Sequence, residues 1–409
     1  MHGGGSGVAE SSGGPSGGPV FALAPAAGRR HDPRPMATPP LPSAAPVGIS
    51  AIALHQPPWE LANDWFGDAM PRKFTHHTGI ESRAISLDDE LTMGLHAVRQ
   101  LQRETGCSLA DCRGIVFVSP SCIPPSVARR HLPPEACAAE RPRHAARRLA
   151  DLLGLRRYRT IGVNWFCCGY TRALSLVARR WAPRLGLAAD EFLLVVVATR
   201  ISRITDYGCG QTAGLFGDLA SATLLASPAS RRYPVHFRII HAAADVRPAE
   251  RPAFDFQLRS GVPVPLPGGG RAATDARLVY TLDGMAIAEL APRAMAAAVA
   301  EALAATGLSG GDVDFVVPHQ AGTGIIRFTA MKLEDHGIRG ELVNGLVRRT
   351  GNVSACSIPH ALKTAWPRLS GLVACPSAAV GSPGRAEVLQ GCLLLEATPL
   401  HERQPGAAA

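Results

Sequence analysis

The sequence predicts an α/β fold built from two similar halves, because one order of elements occurs twice along the chain. In the first half a helical stretch at 91–104 leads through Thr-Gly and a short polar link into an apolar strand at 114–118. In the second half a longer helical stretch at 285–305 leads through Thr-Gly and a polar link into a strand at 313–317. Recurrence of this order is typical of a duplicated structural unit.

Apolar runs and helix-opening loops support the same fold class. The run at 192–198 is almost continuously apolar, as expected of a strand in a sheet that helices cover on both faces. Each half also carries a loop that opens a helix, at 167–171 and at 351–354. We therefore predict two similar α/β halves packed face to face.

The composition divides the chain into two halves and two tails. Residues 1–46 consist mainly of Gly, Pro, Ser and Ala, so we predict a disordered N-terminal arm. An alternating strand at 47–54 begins the first half, which we place at 47–230, and the second half follows at 231–400. Residues 401–409 are predicted to form a flexible tail.

One segment interrupts this regularity. Residues 121–143 contain Pro-Pro pairs at 124–125 and 133–134 and a further proline at 142. Such a segment is too rich in proline for a regular element, and a long connection inside a compact domain is usually functional or disordered. We expect it to form a lid over a substrate tunnel.

The charge and cysteine content limit the class of protein. The chain has 409 residues, a net charge of +9 and 42 basic residues, almost all of them arginine. Arginine suits the phosphates of coenzyme A or an acidic carrier protein, whereas scattered arginines with few aromatics disfavour nucleic acid. Ten dispersed cysteines without Cys-x-x-Cys pairs indicate reduced thiols and no metal site. With no run long enough to span a membrane and no secretory signal, we expect a soluble, cytoplasmic protein.

Three distant segments carry residues suited to thioester chemistry. Cys167 precedes a predicted helix, where free N–H groups and the helix dipole favour a thiolate. Gly169 is expected to let the backbone approach an acyl group closely. Its neighbour Cys168 is interpreted as an ordinary buried thiol.

The other two segments supply an imidazole and a carboxamide. His319 follows an apolar strand, and it can take a proton from sulfur or donate a hydrogen bond to a carbonyl oxygen. Asn352 lies at a helix start, where it is either a simple helix cap or a second donor to the same oxygen. Two such neutral donors would stabilise the enolate that forms when malonate loses carbon dioxide.

Together these motifs resemble those of the β-ketoacyl-acyl carrier protein synthase III family, within the thiolase superfamily, over about residues 47–400. Residues 78–83, Thr-Gly-Ile-Glu-Ser-Arg, are similar to the family's Thr-Gly-Ile-x-x-Arg. Residues 216–222, Phe-Gly-Asp-Leu-Ala-Ser-Ala, are similar to Phe-Gly-Asp-Gly-Ala-Gly-Ala, and 351–359 to Gly-Asn-Thr-Ser-Ala-Ala-Ser-Val-Pro.

The resemblance implies a five-layered αβαβα fold, a homodimer and a catalytic triad of Cys167, His319 and Asn352. It implies acyl transfer to Cys167, followed by decarboxylative condensation with a malonyl thioester. The substrates would be carried on coenzyme A or an acyl carrier protein, and no metal or redox cofactor would take part. The backbone of Cys167 would form one side of an oxyanion hole.

Several positions depart from the family pattern. The Trp and Arg that hold the adenine of coenzyme A in the family correspond to Lys73 and Gly210. The Arg used for carrier docking falls on Gly324, although Arg327 lies one turn further on and can substitute. The family's Gly-Gly-Gly-Phe loop is replaced by 380–385, where Gly384 is our candidate for the second oxyanion-hole N–H. These changes suggest an unusual acyl donor or acceptor, in polyketide or other specialised metabolism or in a pathway like fatty-acid synthesis.

Two other functions stay open. A relative that moves an acyl group from Cys167 to an alcohol or amine needs His319 but has no decarboxylation to assist, and the presence of Asn352 disfavours it. A non-catalytic partner subunit that binds carrier proteins is disfavoured because such relatives usually lose one of the three polar residues.

Overall fold

A computed structural model describes residues 47–155 and 158–398 of the chain. The predicted N-terminal arm at 1–46 and the predicted tail at 401–409 lie outside these ranges. Among the described helices, none is long and apolar enough to cross a membrane.

The strands and helices alternate along the chain. The strands are β1 Gly48–His55, β2 Trp59–Ala62, β3 Ser82–Ile85, β4 Cys112–Val118, β5 Arg159–Val163, β6 Phe192–Thr199, β7 Leu219–Ala226, β8 Phe237–Pro248, β9 Phe254–Arg259, β10 Pro263–Pro265, β11 Arg271–Ala273, β12 Arg277–Leu282, β13 Phe315–Val316, β14 Glu341–Leu342, β15 Gly371–Val380 and β16 Glu387–Ala397. The α-helices are α1 Phe74–Thr78, α2 Glu90–Thr105, α3 Pro125–His131, α4 Pro134–Ala139, α5 Pro142–Leu152, α6 Gly169–Leu176, α7 Ala182–Leu185, α8 Gly210–Ala213, α9 Gly284–Thr306, α10 Thr323–Glu334 and α11 Ser357–Ala365.

The central sheet is a duplicated five-stranded unit. Its strand order is β14-β13-β15-β16-β8-β1-β7-β6-β4-β5. In the first half β4 is parallel to β5 and β6, while β7 is antiparallel to β6 and β1. In the second half β13 is parallel to β14 and β15, while β16 is antiparallel to β15 and β8. The halves meet where β1 pairs with β8 at Gly48–Arg238 and Ile49–Phe237.

Helices and sheet halves stack in five layers. The innermost apolar cluster joins α6 and α11 to strands of both halves, including Val195 of the first and Val373 of the second. On the outer face of the first half, α2 and α5 pack through residues such as Val98 and Leu149. On the outer face of the second, α9 and α10 pack through residues such as Val299. This layering confirms the predicted αβαβα fold with two pseudo-repeated halves.

Local signals explain the two corresponding helices of the outer layers. Helix α2 begins after Asp89, whose carboxylate accepts the N–H of Thr92, and α9 begins after Asp283, which accepts the N–H of Ala286. Both helices end at a glycine with positive φ, Gly106 at 64° and Gly307 at 71°. The repeated Thr-Gly is therefore a helix end, because glycine enters the left-handed region without a steric penalty.

The expectation of irregular structure at 121–143 was wrong. Helices α3, α4 and α5 begin at Pro125, Pro134 and Pro142, so the prolines start helices there. A proline suits the first turn of a helix because its φ is already helical and the missing N–H would have no partner within the helix. Helix α3 also packs into the body of the protein, where its residues Val127 and Ala128 are fully buried.

Arg83, the last residue of the 78–83 motif, is fully buried and ties together three chain segments. Its guanidinium donates to the carbonyl oxygens of Leu61 at 2.9 Å and Gly214 at 2.8 Å, and to the side chain of Asn63. Burial lowers the pKa of Arg83 to about 10, so the group stays charged at neutral pH. The motif is therefore a structural clamp on this side of the fold.

We expect Arg83→Met to lower the free energy of unfolding by about 3 kcal/mol or more, because it leaves two buried acceptors and one partly buried acceptor without their donor. Denaturation by guanidinium chloride measures this change. The matched control is Arg348→Met, since Arg348 is 69% exposed in its pair with Glu81 and should cost less than about 1 kcal/mol. Equal losses for both variants would contradict the assigned role of Arg83.

Candidate active site

Cys167, His319 and Asn352 line a single cavity of about 710 Å³. They come from different parts of the fold: the turn before α6, the chain after β13, and the turn before α11. This size is within the range of roughly 300–1,000 Å³ typical of small-molecule sites. Folding thus brings the three predicted residues to one place.

Cys167 lies in a short 3₁₀ turn, Phe166–Cys168, between β5 and α6. A second 3₁₀ turn, Ser354–Cys356, precedes α11 in the other half. Each turn begins with a non-glycine residue at positive φ, 41° for Phe166 and 47° for Ser354. The two turns meet, with the Cys167 Sγ 3.5 Å from the Ser354 Oγ. Strained backbone of this kind, about 1–3 kcal/mol per residue, is common at functional sites.

The Cys167 sulfur is a thiol rather than the thiolate expected from its position. Burial raises its pKa to about 11, and hydrogen bonds from the Ser354 hydroxyl and the Cys167 main-chain N–H offset this only in part. Desolvation disfavours the charged form more than two hydrogen bonds favour it. The sulfur therefore needs a proton acceptor before it can attack.

His319 is positioned by the edge of the second sheet. Its main-chain N–H donates to the carbonyl of Pro376 at 2.9 Å, continuing the pairing of β13 with β15. The side chain is 2% exposed, and burial lowers its pKa to about 4. The imidazole is therefore neutral at pH 7. Its Nδ1 is buried without a hydrogen-bond partner among the described residues, and the residue lines the cavity.

Asn352 is oriented by its own turn. Its Oδ1 accepts the main-chain N–H of Ser354 at 2.9 Å, and its main-chain N–H donates to the carbonyl of Leu215 at 2.8 Å. Because the oxygen is engaged, the NH₂ of the amide is the group left for a ligand. Asn352 therefore caps its turn through the amide oxygen and still has its NH₂ group as a donor.

Gly169 and Cys168 have structural surroundings. A Cβ atom on Gly169 would lie 2.6 Å from Cγ1 of Val118 and 3.2 Å from the Cβ of Ala355, so this glycine allows close packing of α6. Gly169 does not line the cavity, so the structure gives no support to its expected close approach to an acyl group. Cys168 is fully buried against Ala379 and Leu389, and burial raises its thiol pKa well above the usual value.

The structure contradicts the assignment of Gly384 to an oxyanion hole. Its N–H donates to the carbonyl of Phe254 at 2.9 Å, and Gly384 is not among the residues that line the cavity. The turn at 381–386 is thus held against β9. The position of Gly384 in the sequence does not reveal that its N–H is bonded to β9.

Main-chain groups of β15 lie closer to the site. The carbonyls of Leu372, Ala374 and Pro376 accept N–H groups from the chain around β13 and His319, so alternate residues of β15 face that side. Continuing this alternation, the amides of Ala378 and Val380 face the same side. Both residues line the cavity.

Of the two residues predicted to bind the carrier, only one lines the cavity. Lys73 lines the cavity at an exposed position, whereas Arg327 is exposed on α10 and is not a lining residue. A side chain at Gly210 would meet the Ala69 carbonyl oxygen at 2.1 Å, and one at Gly324 would meet the His77 carbonyl oxygen at 2.7 Å. In this chain, neighbouring backbone therefore occupies the space that an arginine side chain would need at position 210 or position 324.

Ser354 and a group of aromatic lining residues were not predicted as part of the site. Ser354 belongs to the quoted motif at 351–355, but its positive φ and its contact with Cys167 depend on the meeting of two distant turns. The aromatic residues come from unrelated segments without a shared motif: Phe166, Phe216, Phe254 and Tyr280.

Comparisons with known proteins agree with this geometry. Residues 303–370 match the family described as 3-oxoacyl-[acyl-carrier-protein (ACP)] synthase III C terminal. The chain is 29% identical over 321 residues to the β-ketoacyl-[acyl-carrier-protein] synthase III of Oleidesulfovibrio alaskensis, covering 78% of this chain and 89% of the relative. It is 30% identical over 290 residues to the enzyme of that name from Salmonella paratyphi A, covering 70% of this chain and 79% of the relative.

A solved structure shares the fold. The 3-oxoacyl-[acyl-carrier-protein] synthase III from Aquifex aeolicus VF5 aligns with a TM-score of 0.58 and 21% sequence identity, over 86% of this chain and 99% of that one. At this identity the alignment supports the architecture, while the sequence relationship rests on the two relatives above. On these grounds the chain belongs to the β-ketoacyl-[acyl-carrier-protein] synthase III family, a branch of the thiolase-fold condensing enzymes.

Proposed function

We propose that the protein forms a carbon–carbon bond between an acyl group held on Cys167 and a malonyl thioester. The observation that carries this proposal is the shared cavity of Cys167, His319 and Asn352, in which the amide oxygen of Asn352 is already engaged. One nucleophile and two neutral donors are the groups that such a condensation requires.

In the first step the Cys167 sulfur attacks the carbonyl carbon of an acyl thioester. The bond from that carbon to the carrier sulfur breaks, and the carrier leaves as a thiol. Because the Cys167 pKa is about 11 and the His319 pKa is about 4, both groups begin neutral. His319 can accept the thiol proton during attack and return it to the departing carrier sulfur.

In the second step a malonyl thioester enters the site. Its bond to the carboxylate breaks, carbon dioxide leaves, and the electron pair moves towards the thioester oxygen as an enolate. In the tautomer that carries its proton on Nε2, His319 would donate to this oxygen together with the Asn352 NH₂ and stabilise it. The enolate carbon then attacks the acyl carbonyl carbon, the bond from that carbon to the Cys167 sulfur breaks, and the released thiolate takes a proton from water.

The tetrahedral intermediates on the Cys167 side require a separate oxyanion site. We infer that the Cys167 N–H and a main-chain amide from Ala378 or Val380 supply it, in place of Gly384. Removing one donor from an oxyanion hole typically costs about 2.7–4 kcal/mol of transition-state stabilisation.

The acceptor is proposed to arrive on an acyl carrier protein, as the names of the relatives imply. Lys73 at the cavity mouth and Arg327 on exposed α10 are the basic groups that we propose for carrier contact. Backbone atoms occupy the space beside Gly210 and Gly324, which disfavours the family's use of arginines at these positions to hold the adenine of coenzyme A and the carrier protein.

We expect Cys167→Ala to abolish the mass increase seen by intact-protein mass spectrometry after incubation with an acyl thioester. Cys168→Ala is the matched control, and it should keep the acyl-enzyme because this sulfur is packed away from the cavity. An acyl adduct on the Cys167→Ala protein would place the nucleophile elsewhere. No adduct on the parent with a broad donor panel would favour the binding-subunit alternative.

We expect Asn352→Asp to keep acylation within about threefold but to slow condensation by about 10²–10³-fold, since a carboxylate lacks the NH₂ donor. Carbon dioxide release from a malonyl thioester, measured on preacylated protein, tests this. Condensation at the parental rate would contradict the role of Asn352. Acyl transfer to alcohols or amines without carbon dioxide release from the parent would favour the acyltransferase alternative.

The raised pKa of Cys167 predicts that its alkylation by iodoacetamide accelerates about tenfold per pH unit from pH 7 to pH 10, because only the thiolate reacts. Peptide mapping should follow Cys167 itself, since Cys209 is exposed and will react as well. A rate that is already constant below pH 7 would mean that the helix start stabilises the thiolate more than burial opposes it.

A further inference from the structure

We propose that the acyl group loaded on Cys167 is bulky and apolar, an aromatic ring or a chain of several carbons beyond acetyl, and that Phe254 limits its size. This inference rests on the proposed function and adds the class of acyl donor. It is carried by the inner end of the cavity, which is lined by aromatic and aliphatic side chains.

The inner end and the mouth of the cavity differ in exposure. At the mouth, Met285 is 78% exposed and Phe328 is 55% exposed. At the inner end, Ile201, Ile204 and Tyr280 are each at most 5% exposed. A thioester that enters past Met285 and Phe328 therefore extends its acyl group towards the buried end.

Aromatic rings define that buried end beside the nucleophile. Phe166, the residue before Cys167, makes an edge contact with Phe254 at 5.0 Å between ring centroids. Phe216, which pairs with Asn352, makes a similar contact with Tyr280 at 5.4 Å. Rings in this arrangement bury large apolar area and favour further aromatic or aliphatic contacts. The chamber thus begins at the catalytic sulfur and continues between two ring pairs.

Two polar groups of the cavity lining, Tyr280 and Glu387, are already engaged. The Tyr280 and Thr205 hydroxyls are 3.4 Å apart. Glu387, a charged lining residue, accepts from the Ser382 main-chain N–H and lies 3.4 Å from the Arg385 guanidinium. An acyl group with its own charge would lose hydration here without gaining a free partner, so the chamber favours uncharged groups.

The chamber wall is supported from behind. Ile123 and Val127 pack with Phe254 and Tyr280 in one apolar cluster. None of the described residues of 121–143 lines the cavity, so this segment backs the wall instead of forming the expected lid.

An ion pair holds that backing in place. Glu140 pairs with Arg203 and accepts the Ile123 main-chain N–H at 2.8 Å, and Arg203 also lies 3.2 Å from Glu90. Charged groups that are partly buried and paired in this way resist displacement. The wall is therefore built to keep its position when no acyl group is bound.

The first test measures how fast the parent protein is acylated on Cys167 by a series of N-acetylcysteamine thioesters, a carrier too small to contribute binding of its own. We expect octanoyl and phenylacetyl donors to load at least tenfold faster than acetyl. Acetyl loading as fast as or faster than both bulky donors would overturn the proposal and leave the proposed function standing. No loading by any donor would instead overturn the proposed function.

A pair of variants tests the chamber itself. Phe254→Trp adds volume next to Phe166 and should slow octanoyl and phenylacetyl loading at least tenfold while acetyl loading changes less than threefold. Tyr233→Phe removes only a hydroxyl from a ring in the outer cluster of the first half, and because Tyr233 does not line the cavity its donor preference should equal that of the parent. If a folded Phe254→Trp protein kept the parental ratio of bulky to acetyl loading rates, the assignment of Phe254 would be overturned. If that variant does not fold, the loading rates of the parent protein with the thioester series still decide the class of acyl group.

Discussion

The meeting of two strained turns between the sheet halves is the constraint on which the site depends. Phe166 and Ser354 adopt positive φ at equivalent positions, just before the central helices α6 and α11. Those helices are buried against strands of both halves, so neither turn can relax without disturbing the core. Apolar packing thus offsets the backbone strain and holds Cys167 beside the Asn352 turn.

Burial also determines the protonation of the reacting groups. The same surroundings raise the pKa of Cys167 and lower that of His319, so the pair rests without charge. A neutral pair costs less to bury than a thiolate and an imidazolium. In the proposed mechanism, charge develops only when a substrate oxygen is present to receive it.

Sequence motifs predicted the elements of this site that depend on local pattern. The Thr-Gly helix ends, the apolar strands and the loops around Cys167, His319 and Asn352 follow from residue order, because capping and periodicity are local properties. The assignment of Gly384 failed because the direction of its N–H depends on the contact of a turn with β9. The prolines of 121–143 led to an incorrect prediction of irregular structure, because proline occurs in the first turn of helices as well as in loops. The aromatic chamber draws on segments whose proximity only the fold defines.

The order in which the chain is made has a consequence for the nucleophile. Cys167 belongs to the first half, whereas β15 and β16, which cover it with Ala379 and Leu389, come last among the described strands. A ribosome that builds the chain from its N-terminus completes the first half well before that cover exists. During this interval the Cys167 thiol has neither its imidazole nor its amide neighbour, because His319 and Asn352 also belong to the second half.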